Sequence, residues 1–130
     1  MGFFCPTVTS TTPGLDFISK LRPVSYNLNI DKLNSELNEG SETNQEKANT
    51  IYTGFLAQEV EQAAEAIGFD FSGVDKPQNE NGMYGLRYAE FVVPLVKAVQ
   101  EQQAIIEEQN MKIQELEAKY QELMEMIQTK

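Results

Sequence analysis

From about Ala89 to Ile127 apolar residues recur at alternating three- and four-residue spacings. With heptad position a at Val92, Val99, Ile106, Ile113, Tyr120 and Ile127, position d falls on Leu95, Gln102, Gln109, Leu116 and Leu123. The spacing holds for five heptads, and a sustained 3.5-residue repeat predicts a left-handed coiled coil. Gln102 and Gln109 put two polar layers into the middle of this seam. Each must find a partner across the axis or leave polar groups dry, so such layers weaken association while they fix register. Val96 and Met124 at e, with Ile105 and Met126 at g, widen the apolar stripe. A wider stripe suits three helices, whereas β-branched residues at a with Leu at d suit two. A trimer is the expectation, although periodicity alone does not separate the two. Charges fit a parallel arrangement: Lys112 at g faces Glu117 at e of a neighbour, and Glu108–Lys112 and Glu115–Lys119 are helix pairs in the favourable order. At ~1.5 Å per residue the helix spans roughly 60 Å, about twice the diameter of a small domain, which disfavours folding it back on its own chain.

Ahead of this helix the patterns are shorter. Residues 1–14 are rich in Thr, Ser, Pro and Gly and read as a flexible lead-in. Leu15, Ile18 and Leu21 mark one face of a short amphipathic turn that Pro23 ends. Val24, Tyr26, Leu28 and Ile30 alternate as in a strand with one buried face, and Ile51 to Ala57 reads as a second strand able to pair with it. Gly54 within that run points to a bulge or a close backbone contact. Residues 31–50 are a polar excursion without periodicity. Val60, Ala63, Ala64 and Ile67 define a helix over Gln58 to Ile67, with Gly68 placed to cap it. Short strands are expected near Val74 and over Met83 to Leu86, and the long helix begins near Tyr88. Pro94 lies just past its first turn, where a mild kink or a restart is expected. The fold class is therefore α+β, a small antiparallel β/helix domain followed by a long C-terminal helix that forms a parallel trimeric coiled coil. It divides as the lead-in at 1–14, the small domain at 15–88 with its excursion at 31–50, and the helix at 89–130.

Composition removes several function classes. The chain has 130 residues and a formal net charge of −10, which repels phosphate, so neither nucleic acid nor an anionic membrane surface is an expected partner. Its longest apolar run, Phe91 to Val96, is too short for membrane insertion. The chain has no histidine, which removes the commonest general base and metal ligand together. Its one cysteine, Cys5, stands among Phe3, Phe4 and Pro6 without a base. Ser19 and Lys20 are adjacent, so on a helix their side chains diverge. Asp70, Asp75, Asn79 and Asn81 miss the spacing of a calcium loop. No cofactor and no metal is expected, and the residues alone point to an oligomerising module.

Four segments carry a resemblance. They are Leu15-Asp-Phe-Ile-Ser-Lys-Leu-Arg-Pro-Val-Ser-Tyr26, Gly54-Phe-Leu-Ala-Gln-Glu-Val-Glu61, the stretch from Gly85 through Tyr88 and Pro94 to Glu101, and the coiled coil after it. Together they resemble the C-terminal intramolecular chaperone domain of phage tailspikes and tail fibres, of the endosialidase type, also classed as a self-cleaving peptidase. The resemblance implies a homotrimer that aligns three chains and helps the upstream fibre region of the same protein to fold, on a phage tail or bacterial surface. The residues of these motifs also have a plain structural reading: Tyr26, Phe55, Leu56, Val60 and Tyr88 are expected in the core, and Gln58 and Glu59 are candidates for pairing between subunits. Cleavage in the family uses a serine that opens a Ser-Asp-x-Arg-x-Lys motif ahead of the first segment. Residues 1–14 contain neither Ser-Asp nor a following Arg-x-Lys, and Ser10 is followed by Thr11. No catalytic residue is carried over, and the chain leans away from being an enzyme. Two other functions stay open: a self-cleaving serine peptidase whose catalytic segment lies upstream, and a free-standing coiled-coil adaptor.

Overall fold

The structure, a computed structural model, describes residues 8–29, 32, 49–80 and 82–129. Among these, the elements in chain order are α1 (Leu15–Ile18), β1 (Val24–Tyr26), β2 (Tyr52–Gly54), α2 (Ala57–Ala66), β3 (Val74–Asp75), β4 (Gly85–Leu86), a 3₁₀ turn (Tyr88–Phe91) and α3 (Val92–Gln128). Most of the excursion expected at 31–50 lies outside the described residues, as does Ile30. The architecture is the expected one: small antiparallel strand pairs with a helix, followed by a long C-terminal helix. The chain forms two compact units, Lys20–Arg87 and, separately, Met1–Ser19 with Tyr88–Lys130.

In the Lys20–Arg87 unit, β1 pairs antiparallel with β2 in the register Val24↔Gly54, Ser25↔Thr53 and Tyr26↔Tyr52. Gly54 thus sits in a one-to-one ladder opposite Val24 rather than at a bulge. Tyr26 and Tyr52 stack across the strands, with centroids 5.8 Å apart at 25°. Such a cross-strand pair is worth ~0.2–1 kcal/mol over alanines. β3 and β4 form the second pair, Val74↔Leu86 and Asp75↔Gly85. On α2 the buried residues are Val60, Ala63 and Ala64, spaced at i, i+3 and i+4 so that they share one face. The helix ends on Gly68, whose φ of 67° suits a residue without Cβ. There the Gly68 N–H donates to the Glu65 carbonyl (3.1 Å) and the Phe69 N–H to the Ala64 carbonyl (2.8 Å). These two bonds satisfy carbonyls that a helix end otherwise leaves unpaired, the pattern of a Schellman cap.

In the other unit, α1 packs against α3. Phe17 is fully buried, and its ring stacks on that of Phe91 at 6.3 Å and 16°. The sequence pattern singled out Leu15, Ile18 and Leu21 instead, yet these are only half-buried. An element of four residues is too short for helical spacing to identify its inner face. The long helix proper starts at Val92, three residues later than the expected Ala89, after the 3₁₀ turn. Pro94 explains the boundary. Within an α-helix begun at Ala89 its nitrogen would face an acceptor it cannot serve, whereas as the third residue of α3 it occupies a place where the N–H has no intrahelical partner. Pro94 is also buried, as is Ala98 one turn on.

Candidate functional site

The candidate site is the face of α3 that its own chain leaves uncovered. Every apolar residue of the heptad seam is exposed, from 45% at Leu95 to 69% at Ile127. Val92, Val99, Ile106, Ile113, Leu116, Tyr120 and Leu123 fall between, and Gln102 and Gln109 lie exposed among them. The flanking Val96, Ile105 and Met126 are exposed as well, while Met124 is half-buried. In the first three turns the helix has two apolar faces. Phe91, Pro94 and Ala98, at heptad positions g, c and g, are buried; Val92, Leu95 and Val99, at a, d and a, are open.

Farther along, Ile113, Leu116, Glu117, Tyr120 and Gln121 line a shallow groove. The first four hold positions a, d, e and the next a. Four residues so placed make the hole that receives a d-position side chain from a parallel neighbour. Around this groove the charged side chains are ordered along the helix, Lys112 by Glu108 at 3.2 Å and Lys119 by Glu115 at 3.1 Å.

Among its described residues the Lys20–Arg87 unit carries charge clamps. Arg22 donates two hydrogen bonds to Glu59, from Nε at 3.1 Å and from Nη2 at 2.6 Å. Glu59, a candidate for pairing between subunits, is thus engaged within its own chain, and the pair joins two of the segments that carry the family resemblance. Arg87 holds Asp75 in the same forked manner, at 3.1 and 2.6 Å, beside the β3–β4 ladder. Lys76 lies 2.6 Å from Glu61 and 3.7 Å from Glu65, one turn apart on α2. The hydrogen bonds from Arg22 and Arg87 hold the Glu59 and Asp75 carboxyls below their ordinary range. The one from Lys76, aided by Tyr84, does the same for Glu61. In return Glu61 raises the Lys76 ammonium and the Tyr84 phenol above theirs. Of the five residues expected in the core, Val60 is buried and Phe55 half-buried, but Tyr26, Leu56 and Tyr88 are 39%, 44% and 50% exposed. Apolar character marked these positions in the sequence; it could not say whether their own chain covers them.

Fold and surface together define a small α+β module joined to a long helix with an open heptad seam. Residues 7–69 match the family model described as chaperone of endosialidase. The match supports an endosialidase-type chaperone domain in this chain, and with it an intramolecular chaperone role in a phage-tail context. The matched residues contain the first two of the four resembling segments and end ahead of α3. No curated protein and no solved structure matches the chain. Among the described residues no helix is long and apolar enough to cross a membrane.

Proposed function

We propose that the chain is the homotrimerisation and folding domain of a longer tail-fibre or surface protein, and that α3 is its assembly helix. The observation that carries this is the open seam, nine apolar residues at heptad spacing, all exposed in the single chain. Apolar area of that extent gains free energy when helices cover it, at about 25 cal/mol per Å² removed from water. Apolar flanks at e and g make the stripe broad enough for two neighbours at once, which favours three helices. In parallel register, Leu116 enters the groove of the adjoining helix and Lys112 meets its Glu117.

Joining the C-terminal helices raises the local concentration of the three chains to which they are attached and lowers the entropy cost of bringing those chains together. That is how an assembly helix acts as a chaperone for the fibre region of its own polypeptide. Self-cleavage is not part of the proposal, because residues 1–14 hold no Ser-Asp pair. Leu116→Asp tests the seam. It places one carboxylate per chain in an apolar layer, so association measured by light scattering should weaken by about a hundredfold or more. Unchanged association would refute α3 as the assembly surface.

A further inference from the structure

We propose that Gly14 and Phe17 form a clasp that fastens residues 8–13, and any chain ahead of them, to the base of α3, so that helix register is passed upstream. The proposal rests on the assembly reading above. Gly14 is buried, and its carbonyl accepts hydrogen bonds from the N–H groups of Phe17 (3.1 Å) and Ile18 (2.9 Å). It thereby opens α1. A Cβ at Gly14 would stand 2.7 Å from the Ala98 backbone nitrogen and 2.8 Å from the Lys97 carbonyl carbon, and would collide with the Glu101 carboxylate. The carboxylate can swing away, but the backbone atoms of the helix cannot. Only glycine lets the two backbones approach this closely.

Phe17 completes the attachment by stacking on Phe91. The clasp covers Phe91, Pro94 and Ala98, at g, c and g, and leaves the a and d residues of the same turns, Val92, Leu95 and Val99, exposed. The seam's central positions therefore stay open while the clasp is closed. Ser10 and Thr12 share a groove with Val92, Val93 and Val96, so the segment ahead of the clasp runs to the edge of the seam, where neighbouring chains meet. Because all positions on a helix turn together, a segment fixed at one ridge stands at the same height and angle on every copy. Association through the seam then aligns the upstream segments without a contact of their own.

The test uses the full 130-residue chain with Cys5→Ser and Ser10→Cys, spin-labelled at position 10. Inter-label distances are measured alongside the mass in solution. The parent should be trimeric, with one narrow distance population. Gly14→Ala should keep the mass but broaden the distribution about twofold, with amide exchange at Phe17 and Ile18 about tenfold faster. Phe17→Leu, which keeps the glycine, should broaden it less. Gly85→Ala is the control, since a Cβ there meets only Asp75 side-chain atoms, at 3.8 and 3.9 Å. A trimer with parent-like narrow distances in both Gly14→Ala and Phe17→Leu overturns the clasp and leaves the assembly reading standing. Loss of the trimer in Gly14→Ala also overturns it, because clasp and seam would not be separate. A monomeric parent removes the assembly reading and the clasp with it.

Discussion

Gly68 is the residue whose backbone states its role most directly. At φ 67° an added Cβ meets no neighbour within 4 Å, so Gly68→Ala is penalised by conformation alone. The expected loss is about 1 kcal/mol in the unfolding of the α2 region, read from denaturant midpoints. The charge clamps give a dependence on pH. Glu59, Glu61 and Asp75 titrate below their unfolded values. Their contribution is complete above the ordinary carboxylate range, near pH 4, and is lost as pH falls through the lower folded values. Lys76 and Tyr84 are raised, so their contribution is complete below about pH 10 and is lost as pH rises through the higher folded values. Thermal unfolding should show a plateau between these limits and fall on both sides, with the acid limb shallower in Glu61→Gln; an identical acid limb would remove that clamp from the account. Gly68 and the inner face of α2 were legible in the sequence because ten helical residues give the spacing room to repeat. Phe17 was not, since α1 is one turn long and its partner Phe91 lies far along the chain.

At the scale of elements, α3 is the part whose sequence carried most of its structure. A long C-terminal helix with Glu–Lys pairs in the order 108–112 and 115–119 could be read in advance, while its start moved from Ala89 to Val92. Strand extents were less legible. Alternation ran from Val24 to Ile30, the last of which lies outside the described residues, yet the ladder spans Val24–Tyr26. Beyond Tyr26, the Asn27 side-chain amide donates to the Thr50 carbonyl at 3.3 Å. The direction of α3 in the assembly is open to a charge exchange. In a parallel bundle K112E or E117K alone puts like charges together and should weaken association by about 0.5 kcal/mol per contact, while the double variant recovers it. An antiparallel bundle faces g with g and e with e, so there the single variants would not weaken association and the double would restore nothing.

For the whole molecule, the class α+β with a long terminal helix followed from where periodicity changes along the chain, from two residues to about three and a half. The attachment of residues 8–19 to the base of that helix did not, because the lead-in has no periodicity and Gly14 is revealed only by the backbone it touches. The family match over residues 7–69 supports the chaperone role, and the open seam of α3 is the physical means proposed for it. Self-association in a defined number is therefore the claim on which the account stands. Sedimentation equilibrium of the full chain across a wide concentration range measures it directly. A single species at three times the chain mass of 14.7 kDa is the expected result. A chain that remains at 14.7 kDa at the highest concentrations, with its α3 seam still uncovered, would contradict it.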